Sequence, residues 1–162
     1  MDMMTPDDRK EARTYAWGYF ALHAEQRMKL FNFFLVLSGI ILGAFSAVKG
    51  MAPGATVVAL LPLLLVLTAF IFWRIEERTR RLVKNGEDAL RFLDEQWPVE
   101  PLSDETPHYL RLFERDDNLM ELAKKRWWSR HLVPISYADS FRIAYLMIGG
   151  VGFVLAGWVL LG

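Results

Sequence analysis

Two long apolar runs in the first half of the chain dominate its hydrophobic pattern. The runs Leu30–Val48 and Ala55–Trp73 carry no charged side chain, and each is about 19 residues long. A helix of that length crosses the ~30 Å hydrocarbon core of a bilayer. A chain of 162 residues is too small to bury two such helices, and a third, inside one soluble core. The pattern therefore predicts a transmembrane hairpin with a short turn at 49–54.

Helical signals continue on both sides of this hairpin. The segment Thr5–Asp8 combines a capping hydroxyl, a proline and two acids, and no Gly-Pro break follows it before Gly50. After the second run, leucines recur near a heptad up to Pro98. We therefore expect the first two spans to extend into the cytoplasm as a long antiparallel helical hairpin, rising ~35 Å above the membrane.

These signals predict an all-α integral membrane protein with three transmembrane helices and short cytoplasmic or interfacial helices. The third span is Phe141–Leu161, with Asp139 or Ser140 placed to cap it. A short helix is expected at His108–Asp117, and a separate stretch follows from Leu119 to His131. In chain order the predicted segments are an N-terminal cytoplasmic helix (1–29) continuous with the first span (30–48), a periplasmic turn (49–54), the second span (55–73), its cytoplasmic extension (74–97), a cytoplasmic helical segment (98–140) and the third span (141–161).

The distribution of Lys and Arg predicts the orientation. Five lie before Leu30, one lies in the turn at Lys49, and thirteen lie between Arg74 and Arg142. Cytoplasmic segments carry the excess of positive charge. The protein is therefore predicted to be a multi-pass protein of the bacterial inner (cytoplasmic) membrane, with a cytoplasmic N-terminus and a periplasmic C-terminus.

Small residues recur four apart on two of the spans. Gly39, Gly43 and Ala47 share one face of the first span, and Gly152 and Ala156 share one face of the third. Small side chains let helices approach closely where lipid supplies no hydrophobic driving force. Both faces predict tight helix packing, either within a subunit or between the subunits of a homo-oligomer.

Aromatic and basic residues mark the expected membrane surface. Trp73 and Arg74 form a typical anchor at the end of the second span. A cluster of cations and tryptophans after Leu119 predicts a helix that lies in the headgroup layer of the lipid bilayer. Its members are Lys124, Lys125, Trp127, Trp128 and Arg130.

A semi-apolar stripe on the first cytoplasmic helix requires a partner helix. The stripe is broad: Tyr15, Tyr19, Leu22, Gln26 and Leu30 recur at helical spacing, with Ala16, Phe20 and His23 one position round. His23 and Gln26 lie at its membrane end. One interpretation is a hydrogen-bonded interfacial pair, and the other is a polar sensor in which His23 responds to protons or contacts a ligand.

Composition excludes several classes of function. The chain contains no cysteine, so disulfides, thiolate nucleophiles and Cys-bound metals are ruled out. No pair of histidines has metal-ligand spacing and no phosphate-binding loop is present, so neither a metal nor a cofactor is predicted. The net charge is zero, which argues against nucleic acid as the main partner. The apolar runs hold no ionisable group, which disfavours a proton-coupled carrier.

One short motif points to a different chemistry. Arg126 and His131 have the Arg-x4-His spacing of HEPN ribonucleases, with Trp127 where that family usually has a polar residue. Together with the helical hairpin and the absence of cysteine, this motif resembles the membrane accessory proteins of RNA-targeting (type VI-B) CRISPR systems, and more loosely other small membrane effectors of bacterial antiphage defence. The resemblance implies a ring-like oligomer that permeabilises the inner membrane when a cytoplasmic sensor is triggered.

Three function hypotheses follow. The first is a homo-oligomeric inner-membrane effector, not an enzyme, that forms a pore or disrupts the membrane and is gated by its cytoplasmic helices. The second is an adaptor that recruits a cytoplasmic protein partner to the membrane. The third is a membrane-bound ribonuclease in which Arg126 and His131 are catalytic.

Overall fold

The computed structural model describes residues 5–51, 54–96, 112–127 and 137–161, which form helices with no strand among them. The four helices are α1 (Pro6–Gly50), α2 (Ala55–Gln96), α3 (Leu112–Trp127) and α4 (Tyr137–Leu161). Three of them, α1, α2 and α4, are long and apolar enough to cross a membrane. The predicted all-α membrane protein with three spans is confirmed.

The start of α1 is fixed by a reciprocal capping arrangement. The Asp8 amide donates to the Thr5 hydroxyl oxygen at 3.2 Å, and the Thr5 amide donates to the Asp8 carboxylate at 2.9 Å. The Thr5 hydroxyl also donates to that carboxylate at 2.7 Å. The hydroxyl first, and then the amide, lower the pKa of Asp8. Pro6 can stand directly after the cap because the first helical position needs no amide donor.

The chain divides into two compact units, each described here by itself. The membrane unit comprises Glu25–Arg80 and Ser136–Gly162, and the extension unit comprises Met1–Ala24 and Arg81–Ile135. In the membrane unit α1 and α2 are antiparallel and α4 packs on both. Its aromatic core is formed by Phe34, Ala69, Phe141 and Tyr145, with Phe31, Phe72, Trp73 and Ile148 at the edge.

Within the membrane unit, α2 and α4 approach closely at a line of small residues. A Cβ atom at Gly152 would lie 2.9 Å from the backbone oxygen of Pro62, and one at Gly149 would lie 3.2 Å from the Cβ of Ala69. Ala156 continues this line and is buried. The small-residue face of the third span therefore lies against α2 in the same subunit.

Gly152→Leu is expected to disrupt the packing of α2 against α4. The new side chain would meet backbone atoms, which cannot move aside as a flexible side chain can. We therefore expect the free energy of unfolding to fall by ~1–3 kcal/mol. Thermal unfolding in detergent micelles, followed by circular dichroism, measures the loss. Gly157→Leu is the matched control, because a Cβ atom at Gly157 meets nothing within 4 Å. Equal melting of the two variants would contradict the expectation.

The extension unit pairs the start of α1 with the end of α2. Arg13 forms an ion pair with Asp94, and a Cβ atom at Gly86 would lie 3.0 Å from the Cα of Phe20. The helices therefore pack backbone to backbone at Gly86. In α3, Phe113 lies edge-on to Phe20 with ring centroids 5.5 Å apart, which places α3 against this pair.

The predicted stripe on α1 makes its contact mainly on one side. Ala16 is buried and Phe20 is half-buried, whereas Tyr15 and Leu22 are exposed. Phe20 is also where the backbone of α1 approaches Gly86.

The short helix expected at His108–Asp117 does not end at Asp117. Helix α3 runs through this position to Trp127.

Candidate functional site

A buried ion pair links α1 and α2 beyond the aromatic core of the membrane unit. Arg27 Nε lies 2.8 Å from Glu76 Oε1 and 3.1 Å from Oε2, and Arg27 Nη2 donates to Oε1 at 2.5 Å. The side chains are 14% and 5% exposed. Arg27 stands three residues before the first apolar run and Glu76 three residues after the second. The antiparallel hairpin therefore brings the two opposite charges to the same level.

Helix α4 completes this site with an aromatic ring. The guanidinium carbon of Arg27 lies 4.9 Å from the centroid of the Phe141 ring, in cation–π contact. Phe141 in turn stacks on Phe31 at 4.3 Å, and Tyr145 lies 4.7 Å from Phe34. Arg27, Glu76 and Phe141, here called the junction, thus join α1, α2 and α4.

The main effect of the junction is to hold its three helices in one arrangement, and its net contribution to stability is small. Two charges taken out of water lose hydration free energy that their mutual attraction only roughly offsets. Removing one partner leaves the other charge buried and unpaired, which costs about 3–5 kcal/mol. Any movement that separates Arg27 from Glu76 meets the same cost unless water or another polar group reaches them. The junction can therefore resist relative movement of the three helices.

A second group of charges joins α2 to α4 at a more exposed position. Glu77 Oε2 lies 3.2 Å from Arg74 Nη1, and Glu77 Oε1 lies 3.7 Å from Arg142 Nη2. The side chains of Arg74 and Arg142 are 64% and 41% exposed. These three residues, here called the arginine cluster, contain two cations and one anion. Exposed ion pairs of this kind contribute little to stability.

The opposite end of the membrane unit has its own cationic contact. The Lys49 ammonium in the last turn of α1 lies 3.1 Å from the centroid of the Trp158 ring in α4. Tryptophan is the strongest cation–π partner and is common at membrane interfaces. This contact therefore fixes the end of α4 to α1 beside the short turn.

The small-residue face of the first span is exposed in the part of the chain that the structure describes. Gly39, Gly43 and Ala47 are exposed, and Cβ atoms at the two glycines would meet none of the described atoms within 4 Å. The other side of the same helix is buried in the membrane unit through Phe34, Ser38, Ile41 and Phe45. This face is thus free to pack against another molecule.

The comparisons with known proteins identify the family. The model of the octameric membrane protein family matches residues 10–161. The chain belongs to this family. It is also 32% identical over 154 residues to CD-NTase-associated protein 19 of Escherichia coli, a match that covers 93% of this chain and 91% of that protein. No solved structure matches.

Membership of this family tests several of the predictions made from the sequence. The chain is a multi-pass membrane protein that forms a homo-oligomer, as the sequence predicted. The likeness to membrane proteins of bacterial defence is supported only at this general level, through the relative described above. The narrower resemblance to type VI-B CRISPR accessory proteins is not shown by either match.

The structure shows the positions of several other residues that the sequence analysis singled out. His23 lies edge-on to Tyr19, with ring centroids 4.4 Å apart, whereas Gln26 is exposed. Trp73 is half-buried and Arg74 is exposed. Lys124, Lys125, Arg126 and Trp127 end α3, and Trp128, Arg130 and His131 lie outside the described residues.

Sequence reasoning did not find the junction. The sequence did contain a signal for this ion pair, because Arg27 and Glu76 lie at equal distances from the ends of two paired spans. In an antiparallel hairpin, positions equally far from the turn face each other. Opposite charges at such positions, flanked by apolar sequence, predict a buried pair. The contribution of Phe141 has no comparable signal, because it depends on where α4 docks.

Proposed function

We propose that this chain is the subunit of an inner-membrane effector of bacterial antiphage defence, which forms a pore or disrupts the membrane. The support comes from its membership of an octameric membrane family and from its likeness to a protein named for association with a CD-NTase. The proposal assigns the chain no catalysis. RNA cleavage that is lost in His131→Ala would contradict this.

The observation that carries the proposal is the bare small-residue face of the first span. Gly39, Gly43 and Ala47 allow a second helix to approach closely, yet none of the helices described for this subunit approaches the two glycines. In a closed ring each subunit needs a contact surface on each side. We assign this face to the contact between neighbouring subunits. Rotation of subunits about it would open or close a central passage whose uncharged walls stay shut by dewetting.

Gating is assigned to the helical extensions, acting through the junction. Helices α1 and α2 continue without interruption from the extension unit into the membrane unit. Arg27 and Glu76 lie on those continuous helices and hold them to α4 through Phe141. A signal that displaces either helix has to act against this buried ion pair. The excess of Lys and Arg favours a cytoplasmic position for the extensions and a periplasmic C-terminus.

The test uses purified protein in planar bilayers and a variant of the junction. Glu76→Gln keeps the shape of the side chain but removes its charge, so it is expected to raise the conductance without trigger by roughly ten-fold. In cells the same variant is expected to depolarise the inner membrane. Glu87→Gln is the matched control, because Glu87 pairs with Lys84 only at the surface of α2.

The mass of each protein in detergent accompanies this test. A variant that keeps the oligomeric mass and gains conductance supports gating through the junction. Oligomers of wild type and Glu76→Gln that both conduct no ions and leave vesicles intact would refute the pore. The adaptor hypothesis requires a stable monomer that co-purifies with a soluble protein, and the octameric family argues against such a monomer.

A further inference from the structure

An apolar groove runs along the membrane unit between α2 and α4. Its volume is about 360 Å³, within the ~300–1,000 Å³ range of ligand sites. Residues between Val66 and Trp73 line one wall, and residues between Tyr145 and Phe153 line the other. At Gly149 the two walls meet Cβ to Cβ with Ala69 at 3.2 Å, whereas Gly150 leaves room, because a Cβ atom there would meet none of the described atoms within 4 Å.

The length of the groove matches one leaflet of a bilayer. Its lining extends over about two turns of each helix, which is ~10–12 Å at 1.5 Å per residue. Half of a hydrocarbon core is ~15 Å deep. The groove ends at the core residue Tyr145 and at Trp73, an aromatic residue of the kind found at the level of the lipid headgroups. It therefore begins at the membrane surface and reaches towards the bilayer centre.

The arginine cluster lies one helical turn beyond that aromatic end. Glu77 follows Trp73 by four residues on α2, and Arg142 precedes Leu146 by four residues on α4. Glu77 contacts both Arg74 and Arg142, so one carboxylate faces two guanidinium groups. These three residues together carry one positive charge, and the side chains of Arg74 and Arg142 are 64% and 41% exposed.

We propose that this groove binds an anionic phospholipid, with an acyl chain between α2 and α4 and the phosphate on Arg74 and Arg142. The occupant has to present an apolar chain of leaflet length that continues directly into an anion at the membrane surface. A phospholipid of that leaflet has this structure. Guanidinium groups suit its phosphate because they offer several donors in a planar fork. The site is separate from the junction, and it does not depend on pore formation.

The test measures retention of phosphatidylglycerol and of phosphatidylcholine, with identical acyl chains, by the detergent-purified oligomer in native mass spectrometry. Wild type is expected to retain the anionic lipid preferentially. Arg74→Gln/Arg142→Gln is expected to weaken its binding by about five-fold per arginine. Arg78→Gln/Arg81→Gln removes the same charge from exposed positions on α2 and should keep the preference. Glycerol phosphate, which lacks acyl chains, should not compete.

A second variant tests the apolar part of the site. Gly150→Leu places a side chain in the groove and is expected to abolish retention of both lipids while the oligomer keeps its mass. Gly157→Leu adds the same side chain about two turns further along α4, beyond the groove, and should retain lipid. Equal retention of the two lipids by wild type would overturn the proposal. Dissociation of the Gly150→Leu oligomer, with the Gly157→Leu oligomer intact, would also overturn the proposal, because it would assign the groove to a neighbouring subunit.

Discussion

Arg27→Met is expected to destabilise the membrane unit by about 3 kcal/mol or more. The variant leaves the Glu76 carboxylate buried, with its side chain 5% exposed and its cationic partner gone. It also removes the cation that lies over the Phe141 ring. A charge in this position has to draw in water or take up a proton, and either change loosens the packing of three helices. The loss should appear in denaturation by SDS in mixed micelles, followed by circular dichroism.

The double variant Arg27→Met/Glu76→Leu separates two explanations of that loss. If the loss comes from an unpaired buried charge, replacing both residues with apolar ones should recover most of the stability. If Arg27 acts mainly through packing, the double variant should be as unstable as the single one. Arg78→Met is the control for removing an exposed cation from α2. A single variant as stable as this control would show that the junction is not a buried ion pair.

Gly43→Leu is expected to break the oligomer into smaller particles. The substitution places a large side chain on the face that we assign to the contact between subunits. A Cβ atom at Gly43 meets nothing within its own subunit, so the fold of the monomer should survive. Leucine also has a higher helix propensity than glycine by up to ~1 kcal/mol, so α1 itself is not weakened. Light scattering in detergent gives the mass.

Gly18→Leu is the matched control for this experiment. It makes the same change on the same helix, at an exposed position outside the span where a Cβ atom also meets nothing within 4 Å. Gly39→Leu should reproduce the effect of Gly43→Leu, because both glycines share one face. An oligomer of unchanged mass in both span variants would place the contact between subunits elsewhere.

The sequence alone determined the number of the spans. Charge-free runs such as Leu30–Val48 indicate burial in lipid directly, because every unpaired charge in hydrocarbon is costly. Continuous helical signals also predicted that α1 and α2 extend well beyond these runs. The same local reasoning failed at Asp117, where a short helix was expected to end and α3 continues instead.

Pairing between elements was decided by tertiary structure. Arg27 and Glu76 are ordinary flanking charges in the sequence, and only the register of the hairpin and the docking of α4 convert them into a buried site. Within the broad stripe of α1, the contact lies at Ala16 and at Phe20, where Gly86 approaches the backbone, whereas Tyr15 is exposed. A helical stripe predicts that a partner exists but does not determine which side of the stripe it contacts.

The two small-residue faces have similar sequence patterns but different surroundings in the structure. Gly152 and Gly43 belong to similar patterns, yet Gly152 lies against Pro62 in the same subunit while Gly43 contacts nothing there. The spacing of small residues determines that a helix can be approached closely. Which helix approaches depends on the connections between spans and on the neighbouring subunits, and no local pattern carries that information.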